Sequence, residues 1–323
     1  MTNKILFVID DIELKYFEFN DLVTDFWLIK KYLERGCSVS VAVKKGLFIR
    51  NCEGCTVSYG AELKNNNIFL SEETSKCRIN DFDIVYFRPD PPVDTDYINA
   101  CHIFDFVDLT KTFVINNPRS VIHFNEKFHI NRFSEFIPKT IITSDSSLIK
   151  DFVAENNGEA IIKPLNSCFS QGIYYLNSKD KNLNSIIKSA TNGEKTYVCV
   201  QEYLGNGQGG DKRAFILGEK VYEYSLRKLP GKDDFRFNTH SDEFFRKEML
   251  TEKEMRAAQK IASELSKEGL YMAALDIIDE KITEINVTSP CYFFREMNRL
   301  HNIRFDEMIM NDLLKLSEKA VKL

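Results

Sequence analysis

The order of predicted elements in the N-terminal third of the chain restricts the fold more than any other feature of this sequence. Apolar residues recur at helical spacing over residues 22–33, between two apolar strands, and Gly36 ends this predicted helix. The predicted strands of this region are residues 5–10, 38–43, 83–87 and 112–115. Because strands and helices alternate, the pattern indicates a parallel sheet flanked by helices, an α/β arrangement. The polar, Asn-rich residues 50–80 are predicted to form a loop or an irregular excursion from this sheet.

Beyond Pro118 the pattern changes to that of antiparallel hairpins with a few helices. A polar-faced helix is predicted over residues 124–136, and a longer amphipathic helix over residues 251–268 begins with a capping box of Thr251 and Glu254. The predicted strands are residues 141–142, 159–164, 172–176, 196–203, 213–217, 220–226, 274–278 and 282–287. The chain is therefore predicted to be α/β (α+β), with antiparallel sheets after the parallel one.

Charge and composition exclude several classes of function. The net charge is −5 at pH 7, from 43 basic and 48 acidic residues, which provides no general basic surface for nucleic acid. No stretch approaches the roughly 20 apolar residues of a membrane helix. The apolar run at residues 5–9 is too short for the core of a signal peptide. We therefore expect no nucleic-acid partner, no membrane partner and a cytoplasmic location.

Eight cysteines leave disulfides, a metal site and free thiols as alternatives. Only Cys52 and Cys55 form a CxxC pair, and a structural zinc ion needs four ligands, so loop thiols are the favoured interpretation of this pair. Reduced cysteine is also the usual state in a cytoplasmic protein.

A predicted hairpin at residues 275–286 carries the strongest chemical signal. With a turn at residues 279–281, Asp276 falls opposite Glu284, and Asn286 shares a face with Glu284 because side chains alternate along a strand. Two carboxylates and an amide oxygen on one face are hard ligands suited to Mg²⁺. Like charges opposite each other on a sheet are otherwise destabilising, and a bound cation would offset that cost. A solvated acidic face is the alternative interpretation.

Three cationic side chains are candidate partners for phosphate. Lys127 lies just inside a predicted helix, Lys163 ends the strand predicted over residues 159–164, and Arg213 begins another strand. A lysine at the end of a strand, followed by a turn, can lie beside phosphate oxygens. Each of these residues alone is a weak signal, because most lysines lie at the solvated surface.

These candidates fall within segments that resemble the ATP-grasp superfamily and, within it, the bacterial glutathione synthetases. The matching segments cover nearly the whole chain: residues 87–95, 114–118, 125–127, 162–165, 210–213, 275–278 and 283–290. The last of them, which reads TEINVTSP, is the most specific. The resemblance implies an ATP-grasp fold with a Rossmann-like N-terminal domain. The implied domains are residues 1–122, residues 123–200 with a lid loop, and residues 201–323 with a magnesium site.

The resemblance also implies a reaction. An enzyme of this kind transfers the γ-phosphoryl group of ATP to a substrate carboxylate, and an amine then displaces phosphate from the acyl phosphate. In the bacterial glutathione synthetases, the carboxylate belongs to γ-glutamylcysteine and the amine is glycine. We therefore expect an ATP-dependent carboxylate–amine ligase, with ATP as co-substrate, Mg²⁺ (two ions, or Mn²⁺) as cofactor and a homo-oligomeric assembly.

The same resemblance implies roles for individual residues. The expected metal ligands are Asp276, Glu284 and Asn286. The residues expected at ATP are Lys127, Lys163, Gln201, Glu202, Tyr203, Leu204 and Asp211, with the main chain of residues 201–204 bordering adenine. The residues expected at the peptide substrate are Arg88, Arg213, Lys228, Arg236, Asn238 and Ser289. Arg213 and Lys163 are the expected catalytic cations, and Arg213 is expected to face the γ-phosphate or the acyl phosphate.

The loop that follows Lys163 departs from the family pattern. Residues 166–172 contain one glycine where the family has a glycine-rich loop, so the main chain must follow another path or lie less closely over phosphates. Cys168 lies in this loop and is a weaker candidate for a reactive thiol.

The segment after Lys228 departs as well. Residues 239–245 are acidic and aromatic where the family has a small Gly-Gly loop, and Lys228 itself stands where an arginine is expected. His240, in this segment, is a weaker candidate for a general base. These departures leave two alternatives open, a related peptide or glutamate ligase with another substrate and a non-catalytic nucleotide-binding homologue.

Overall fold

A computed structural model describes residues 3–11, 23–167, 171–204, 210–231, 234–237 and 244–321, with the backbone alone at residues 231, 234–237 and 319–321. Within these residues the strands form three larger sheets and one short ribbon, which follow one another along the chain. No helix in these ranges is both long enough and apolar enough to cross a membrane.

The first sheet contains the predicted parallel strands and an antiparallel extension. Its strands are β1 (Lys4–Ile9), β2 (Ser38–Arg50), β3 (Glu53–Lys64), β4 (Asn67–Arg78), β5 (Ile84–Phe87) and β6 (Phe113–Ile115). They lie in the order β4-β3-β2-β1-β5-β6, in which β2, β1, β5 and β6 are parallel. The helices of this region are α1 (Thr24–Glu34), α2 (Thr95–Ile103) and α3 (Pro118–His123). The predicted parallel sheet is therefore confirmed.

The prediction of an irregular excursion at residues 50–80 is wrong, because this segment forms two long antiparallel strands. The Asn-rich positions are the hairpin turns: residues 51–52 and 65–66 all have positive φ, as type I′ turns require. Strand β4 lies at the edge of the sheet and is mostly exposed, with charged side chains that protect an edge from pairing. An exposed edge strand lacks the apolar alternation by which strands are predicted.

The second sheet has its own hydrophobic core. Strands β7 (Thr140–Thr143), β8 (Glu159–Pro164), β9 (Tyr174–Asn177) and β10 (Val198–Glu202) lie in the antiparallel order β7-β10-β8-β9, with helices α4 (Ser146–Glu155) and α5 (Leu183–Ala190) packed on it. The helix predicted at residues 124–136 is wrong in length, since only His129–Phe133 forms a helix, of the 3₁₀ type. Residue 126, at the start of the predicted helix, instead accepts a main-chain hydrogen bond from Ile285.

The third sheet carries the predicted metal hairpin. Its strands are β11 (Asp211–Leu217), β12 (Lys220–Val221), β13 (Tyr224–Lys228), β16 (Phe245–Met249), β17 (Met272–Ile278) and β18 (Lys281–Asn286), while β14 (Pro230–Gly231) and β15 (Asp234–Phe237) form the ribbon. The sheet order is β16-β13-β11-β17-β18, with β12 beside β11. Helices α6 (Glu252–Lys267), α7 (Phe294–His301) and α8 (Phe305–Val321) complete this part of the chain. The capping box of Thr251 and Glu254 is present as predicted.

The first and third sheets share hydrophobic cores. One core joins Val8 and Val85 of the first sheet to Leu275 of the third, and another joins Phe7 to Phe215. Residues of the second sheet form a separate core. The division at 1–122, 123–200 and 201–323 stays a prediction, but the shared cores bring the carboxyl ends of β1 and β5 close to the end of β18.

Candidate functional site

In the hairpin of β17 and β18, Asp276 lies opposite Glu284, as the sequence predicts. The turn is one residue shorter than the predicted residues 279–281: Asp279 and Glu280 form it, with positive φ values of 47° and 60°, and a bulge between Asp276 and Ile277 produces the predicted pairing. Asn286, two residues beyond Glu284, donates from Nδ2 to Oδ2 of Asp276 at 3.3 Å. The three predicted metal ligands therefore lie on one face of one ribbon.

Two cations from neighbouring strands contact Asp276. Arg213 donates from Nε and Nη2 to the two oxygens of Asp276, each at 2.7 Å. The ammonium nitrogen of Lys228 lies 3.5 Å from Asp276 Oδ1 and 2.5 Å from Asp211 Oδ2. Asp211 and Arg213 are two residues apart on β11, so both point to the same side of the sheet. The structure thus brings Asp211, Arg213 and Lys228, predicted for two different ligands, to the predicted metal face.

The charges at this face shift the pKa values of the two carboxyl groups in opposite directions. Burial would raise the pKa of Asp276, but Arg213 and Lys228 outweigh it and hold the pKa of Asp276 well below its usual value. Burial and the neighbouring Asp276 charge raise the pKa of Asp211 to about 6, although Lys228 opposes that shift. Asp276 is therefore anionic at neutral pH, which a metal ligand must be.

Lys127 and Glu284 form the second part of the site. The ammonium nitrogen of Lys127 lies 2.8 Å from Glu284 Oε1 and donates to the main-chain oxygen of Ser167 at 2.8 Å. Lys127 is 2% exposed. Burial would lower its pKa, but the charges of Glu284 and Glu126 reverse the effect and raise it. Lys127 therefore holds a full positive charge beside the loop that follows Lys163.

Glu126 holds this arrangement in place, and its position next to Lys127 was the only indication of this role in the sequence pattern. Its Oε1 accepts hydrogen bonds from the main-chain nitrogens of Val287 and Thr288 and from the Thr288 hydroxyl. Its main-chain oxygen accepts from Ile285. Glu126 therefore fixes Lys127 against the end of β18, the strand that carries Glu284.

The second sheet contributes Lys163 and the predicted adenine strand. Lys163 donates to Gln201 Oε1 at 2.7 Å, across the diagonal of β8 and β10. Cys199, paired with Lys163, has its pKa raised to about 11 by burial, against the lowering charges of Lys163 and Lys127. Because Lys163 is paired with Cys199 and bonded to Gln201, these three side chains lie on the same side of the second sheet.

The remaining residues of the predicted adenine strand lie at and just beyond the end of β10. The Glu202 carboxylate accepts from the main chain of Lys139 at 3.0 Å. The ring of Tyr203 meets Tyr175 edge to face at 4.8 Å. Leu204 is half-buried. The segment follows directly from the strand that carries Gln201, the partner of Lys163.

Two predicted substrate residues, Arg88 and Ser289, lie at the carboxyl ends of β5 and β18. Arg88 is 2% exposed, forms an ion pair with Asp25 and donates to the main-chain oxygen of Pro290 at 3.1 Å. Ser289 donates its hydroxyl to Asp90. Arg88 thus supports the segment that carries Ser289, whereas Ser289 and Asp90 are half-buried and partly accessible.

Several predictions fall where side chains are not described. Asn238, His240 and Cys168 lie outside the described residues, and Arg236 has a described backbone alone, on β15. Cys52 is exposed at a hairpin turn, while Cys55 is buried on β3. No disulfide joins the cysteines within the described ranges.

The predicted metal ligands fit a hard divalent cation. Asp276 and Glu284 supply carboxylate oxygens, and Asn286 uses its amide nitrogen toward Asp276 and Ala274, which leaves its Oδ1 as an oxygen ligand. Arg213 contacts Asp276 and Lys127 contacts Glu284, while Lys163 lies on the second sheet. Such a set is suited to hold a magnesium-bound polyphosphate and to stabilise charge on a transferred phosphoryl group.

Comparison with protein families identifies this arrangement. A model of the prokaryotic glutathione synthetase ATP-grasp domain matches residues 126–302, and a model of the N-terminal domain of the same enzymes matches residues 4–121. The glutathione synthetase of Thermosynechococcus vestitus is 38% identical over 233 residues, which cover 72% of each chain. That of Buchnera aphidicola is 34% identical over 278 residues, covering 86% of this chain and 79% of the relative.

Solved structures with low sequence identity share the fold. D-cycloserine synthetase DcsG superposes with a TM-score of 0.65 at 13% identity, over 98% of this chain and 99% of that one. D-alanyl-alanine synthetase A from Vibrio cholerae gives 0.57 at 13% identity, over 99% of this chain and 98% of that one. The predicted ATP-grasp fold is therefore confirmed. The chain belongs to the prokaryotic glutathione synthetase family and is an ATP-grasp ligase that forms a peptide bond.

Proposed function

We propose that this ligase joins γ-glutamylcysteine to glycine and converts ATP to ADP and phosphate. Membership of the family and the names of the relatives support this substrate pair. The observation that carries the proposal is the meeting of Lys127 with Glu284 on the ribbon that also carries Asp276 and Asn286. This contact brings phosphate-binding and metal-binding groups close enough to act on the same nucleotide.

Two balanced steps make up the reaction. A carboxylate oxygen of the dipeptide attacks the γ-phosphorus, the bond from that phosphorus to the β-bridging oxygen breaks, and ADP leaves. The glycine nitrogen then attacks the acyl carbon, phosphate leaves and one proton is released. Holding the reactants in line and stabilising negative charge on the phosphoryl group are the main contributions that a protein can make to such steps.

The cationic side chains fulfil these requirements. Lys127 and Lys163 bind the phosphates, and Arg213 faces the γ-phosphate or the acyl phosphate. Arg213 is held in place by its two bonds to Asp276, so it meets the substrate without a large loss of side-chain freedom. Residues 201–204 border adenine, Asp211 completes the ATP site, and ATP lies between the second and third sheets.

Asp276, Glu284 and Asn286 would hold Mg²⁺, as two ions, or Mn²⁺. When bound, the metal would supply positive charge that neutralises the charge developing on the transferred phosphoryl group. The peptide substrate is assigned to Arg88, Lys228, Arg236, Asn238 and Ser289, with Arg88 acting through the segment that it supports. A homo-oligomeric assembly and a cytoplasmic location remain predictions of the family resemblance.

A related ligase with another substrate is the second candidate, and Lys228 favours it. Lys228 forms ion pairs with Asp211 and Asp276, so part of its positive charge is neutralised within the protein. A lysine also lacks the two-pronged geometry with which arginine binds a carboxylate. A site built in this way holds a doubly anionic peptide less firmly than one with an arginine.

Phosphate release from purified protein tests the proposal. Turnover is expected only when ATP, Mg²⁺, γ-glutamylcysteine and glycine are all present, with glutathione identified by mass spectrometry. In further assays, each of the other amino acids replaces glycine, and a panel of γ-glutamyl and α-linked dipeptides replaces γ-glutamylcysteine. Faster turnover of another pair would support the second candidate instead. An Asp276→Asn variant is expected to lose turnover and serves as the negative control for phosphate release by contaminants.

A further inference from the structure

The side-chain amide of Asn116 joins the first sheet to the ribbon of β17 and β18. Asn116 directly follows β6 and is 2% exposed. Its Nδ2 donates to the main-chain oxygens of Met272 and Val287, and its Oδ1 accepts from the main-chain nitrogen of Met272, each at 2.7 Å. Both amide hydrogens and one oxygen lone pair are therefore used by segments that lie 156 and 171 residues away in sequence.

These bonds lie at the end of the ribbon that is farthest from its turn. In the described register, the last pair at this end is Ala274 with Asn286. Met272 lies two residues before Ala274, and Val287 lies one residue after Asn286. The amide of Asn116 thus connects β17 to the end of β18 just beyond their last pair. Buried hydrogen bonds that are fully made rigidify the groups that they join, so the ribbon is held at this end.

Asn286 is consequently fixed through both of its neighbours in the chain. The main-chain nitrogen of Ile285 donates to the main-chain oxygen of Glu126 at 3.2 Å. The main-chain nitrogen of Val287 donates to Glu126 Oε1 at 2.7 Å, and the carbonyl oxygen of Val287 accepts from Asn116. Two residues from distant segments therefore hold the main chain on either side of Asn286.

An amide ligand depends on such support more than a carboxylate does. The amide oxygen of Asn286 has no net charge, whereas Asp276 and Glu284 attract a cation over a longer range. Mg²⁺ requires near-ideal octahedral geometry, so a neutral ligand contributes only where its oxygen is correctly placed. Groups that orient metal ligands typically contribute 10- to 100-fold to metal affinity.

We propose that Asn116 is a positioning residue for the metal site, acting through Val287 on the direction of the Asn286 side chain. This inference rests on the proposed function, because it takes Asn286 as a ligand of Mg²⁺. The first sheet then contributes to metal binding through a residue that is not itself a ligand. Asn116 is also distinct from Glu126, which holds the nitrogen of Val287 rather than its carbonyl group.

The test measures how much Mg²⁺ strengthens the binding of a non-hydrolysable ATP analogue. Calorimetric titration with and without Mg²⁺ gives this factor as a ratio of two Kd values. Asn116 acts one step further from the metal than a direct partner of a ligand, so we expect the factor to be about 3- to 10-fold smaller in Asn116→Ala. The Kd without Mg²⁺ is expected to stay within about twofold of wild type. Asn116→Ser is the second variant, for use if Asn116→Ala does not fold.

Asn80→Ala is the matched control. Asn80 Nδ2 donates to the main-chain oxygen of Asp108 at 2.9 Å and to the Thr112 hydroxyl at 3.0 Å, and its Oδ1 accepts from the main-chain nitrogen of Asp108 at 3.0 Å. It therefore makes the same number of hydrogen bonds as Asn116, between segments of the N-terminal region alone. Both variants are expected to unfold at a lower urea concentration than wild type. Asn80→Ala alone is expected to keep the full magnesium effect.

A double-variant cycle distinguishes positioning from a general structural role. If Asn116 acts through Asn286, its replacement has nothing further to disturb once that ligand is gone. Asn116→Ala combined with Asn286→Ala is therefore expected to show the magnesium effect of Asn286→Ala alone, within about twofold. Two losses that multiply in the double variant would indicate that Asn116 acts by another route and would overturn the inference.

The remaining outcomes separate this inference from the proposed reaction. A full magnesium effect in Asn116→Ala, or an equal loss in Asn80→Ala, overturns the positioning role and leaves the reaction unchanged. A full magnesium effect in Asn286→Ala shows that Asn286 is not a ligand, and the inference then fails together with that metal assignment. Formation of glutathione by the wild-type enzyme is measured separately and decides the substrate pair alone.

Discussion

The ammonium nitrogen of Lys127 lies 2.8 Å from Oε1 of Glu284, and this ion pair joins the segment before the second sheet to the last strand of the third. The pair is largely buried, with side chains 3% and 18% exposed. A phosphate-binding lysine and a metal-binding carboxylate are thereby held at a fixed distance. The proposed active site depends on this ion pair.

Replacement of Lys127 by methionine removes the charge and keeps most of the volume. Glu284 and the buried Glu126 then lack their cation, so we expect a loss of about 3 kcal/mol in the free energy of unfolding. The KM for ATP is expected to rise at least tenfold. Lys127→Met combined with Glu284→Gln is expected to recover more than half of the stability but none of the activity. Urea unfolding and steady-state kinetics measure both quantities, and a double variant as unstable as the single one would contradict the assignment.

Lys212 tests whether the two faces of β11 have separate functions. It points away from Arg213 and lies 2.7 Å from Glu254, an almost completely buried ion pair at the start of α6. Lys212→Met leaves Glu254 buried without its cation, so a loss of about 3–5 kcal/mol is expected with KM values unchanged. Chemical unfolding and kinetics at low temperature check this. If Lys212→Met raises the KM for ATP and keeps the stability of the wild type, the two faces of β11 do not have separate functions.

Gly210 controls the position of Lys228. Its φ is +82°, and a Cβ added there would lie 2.2 Å from the main-chain oxygen of Lys228. Gly210→Ala therefore combines a backbone cost of about 1 kcal/mol with displacement of the strand that carries Lys228. We expect lower stability and a raised KM for the peptide substrate.

Gly218→Ala is the matched control for that substitution. Gly218 also has positive φ, at +60°, but an added Cβ would meet only the Leu316 side chain at 3.6 Å. A loss of about 1 kcal/mol with normal kinetics is expected. Equal kinetic effects in the two variants would show that the position of Lys228 is not the cause.

Asp90 predicts a pH dependence of stability. Burial raises the pKa of Asp90 to about 6, with Asp10 and Asp25 acting in the same direction and Ser289 and Arg88 opposing them. The raised pKa of Asp90 makes the folded state less stable when this carboxyl group is ionised. Because its folded pKa exceeds its usual value near 4, the folded state binds an extra proton between pH 4 and pH 6. Its contribution is fully present below about pH 4 and is lost as pH rises through 6. The difference in unfolding free energy between wild type and Asp90→Asn should therefore change across this interval, and a constant difference would contradict the raised pKa.

The local parts of the site could be predicted from the sequence. The turn predicted at residues 279–281 pairs Asp276 with Glu284, and the structure has this pair, although it forms through a two-residue turn followed by a bulge between Asp276 and Ile277. The capping box at Thr251 is equally local. In contrast, β4 is polar and mostly exposed, β3 is only partly buried, and their Asn turns resemble loop sequence. Their strand structure follows from the pairing of β3 with β2 and of β4 with β3, which no local pattern reveals.

The contacts that make the site function lie between distant segments. Lys127 meets Glu284, and Asp90 meets Ser289, only because the first and third sheets share their cores. The family resemblance identified the lysine and the metal ligands but gave no role to Glu126. Glu126 lies within a segment that carries the resemblance, and its position next to Lys127 was the available signal.

Nucleotide binding to Glu284→Gln tests the central claim most directly. Calorimetric titration with a non-hydrolysable ATP analogue, with and without Mg²⁺, is compared for wild type, Glu284→Gln and the control Glu280→Gln, which changes an exposed turn residue of the same hairpin. We expect Mg²⁺ to strengthen binding at least tenfold in wild type and the control. In Glu284→Gln that gain should disappear, while binding without Mg²⁺ is equal or tighter because Lys127 is released. A Glu284→Gln enzyme with the full magnesium effect would contradict the account.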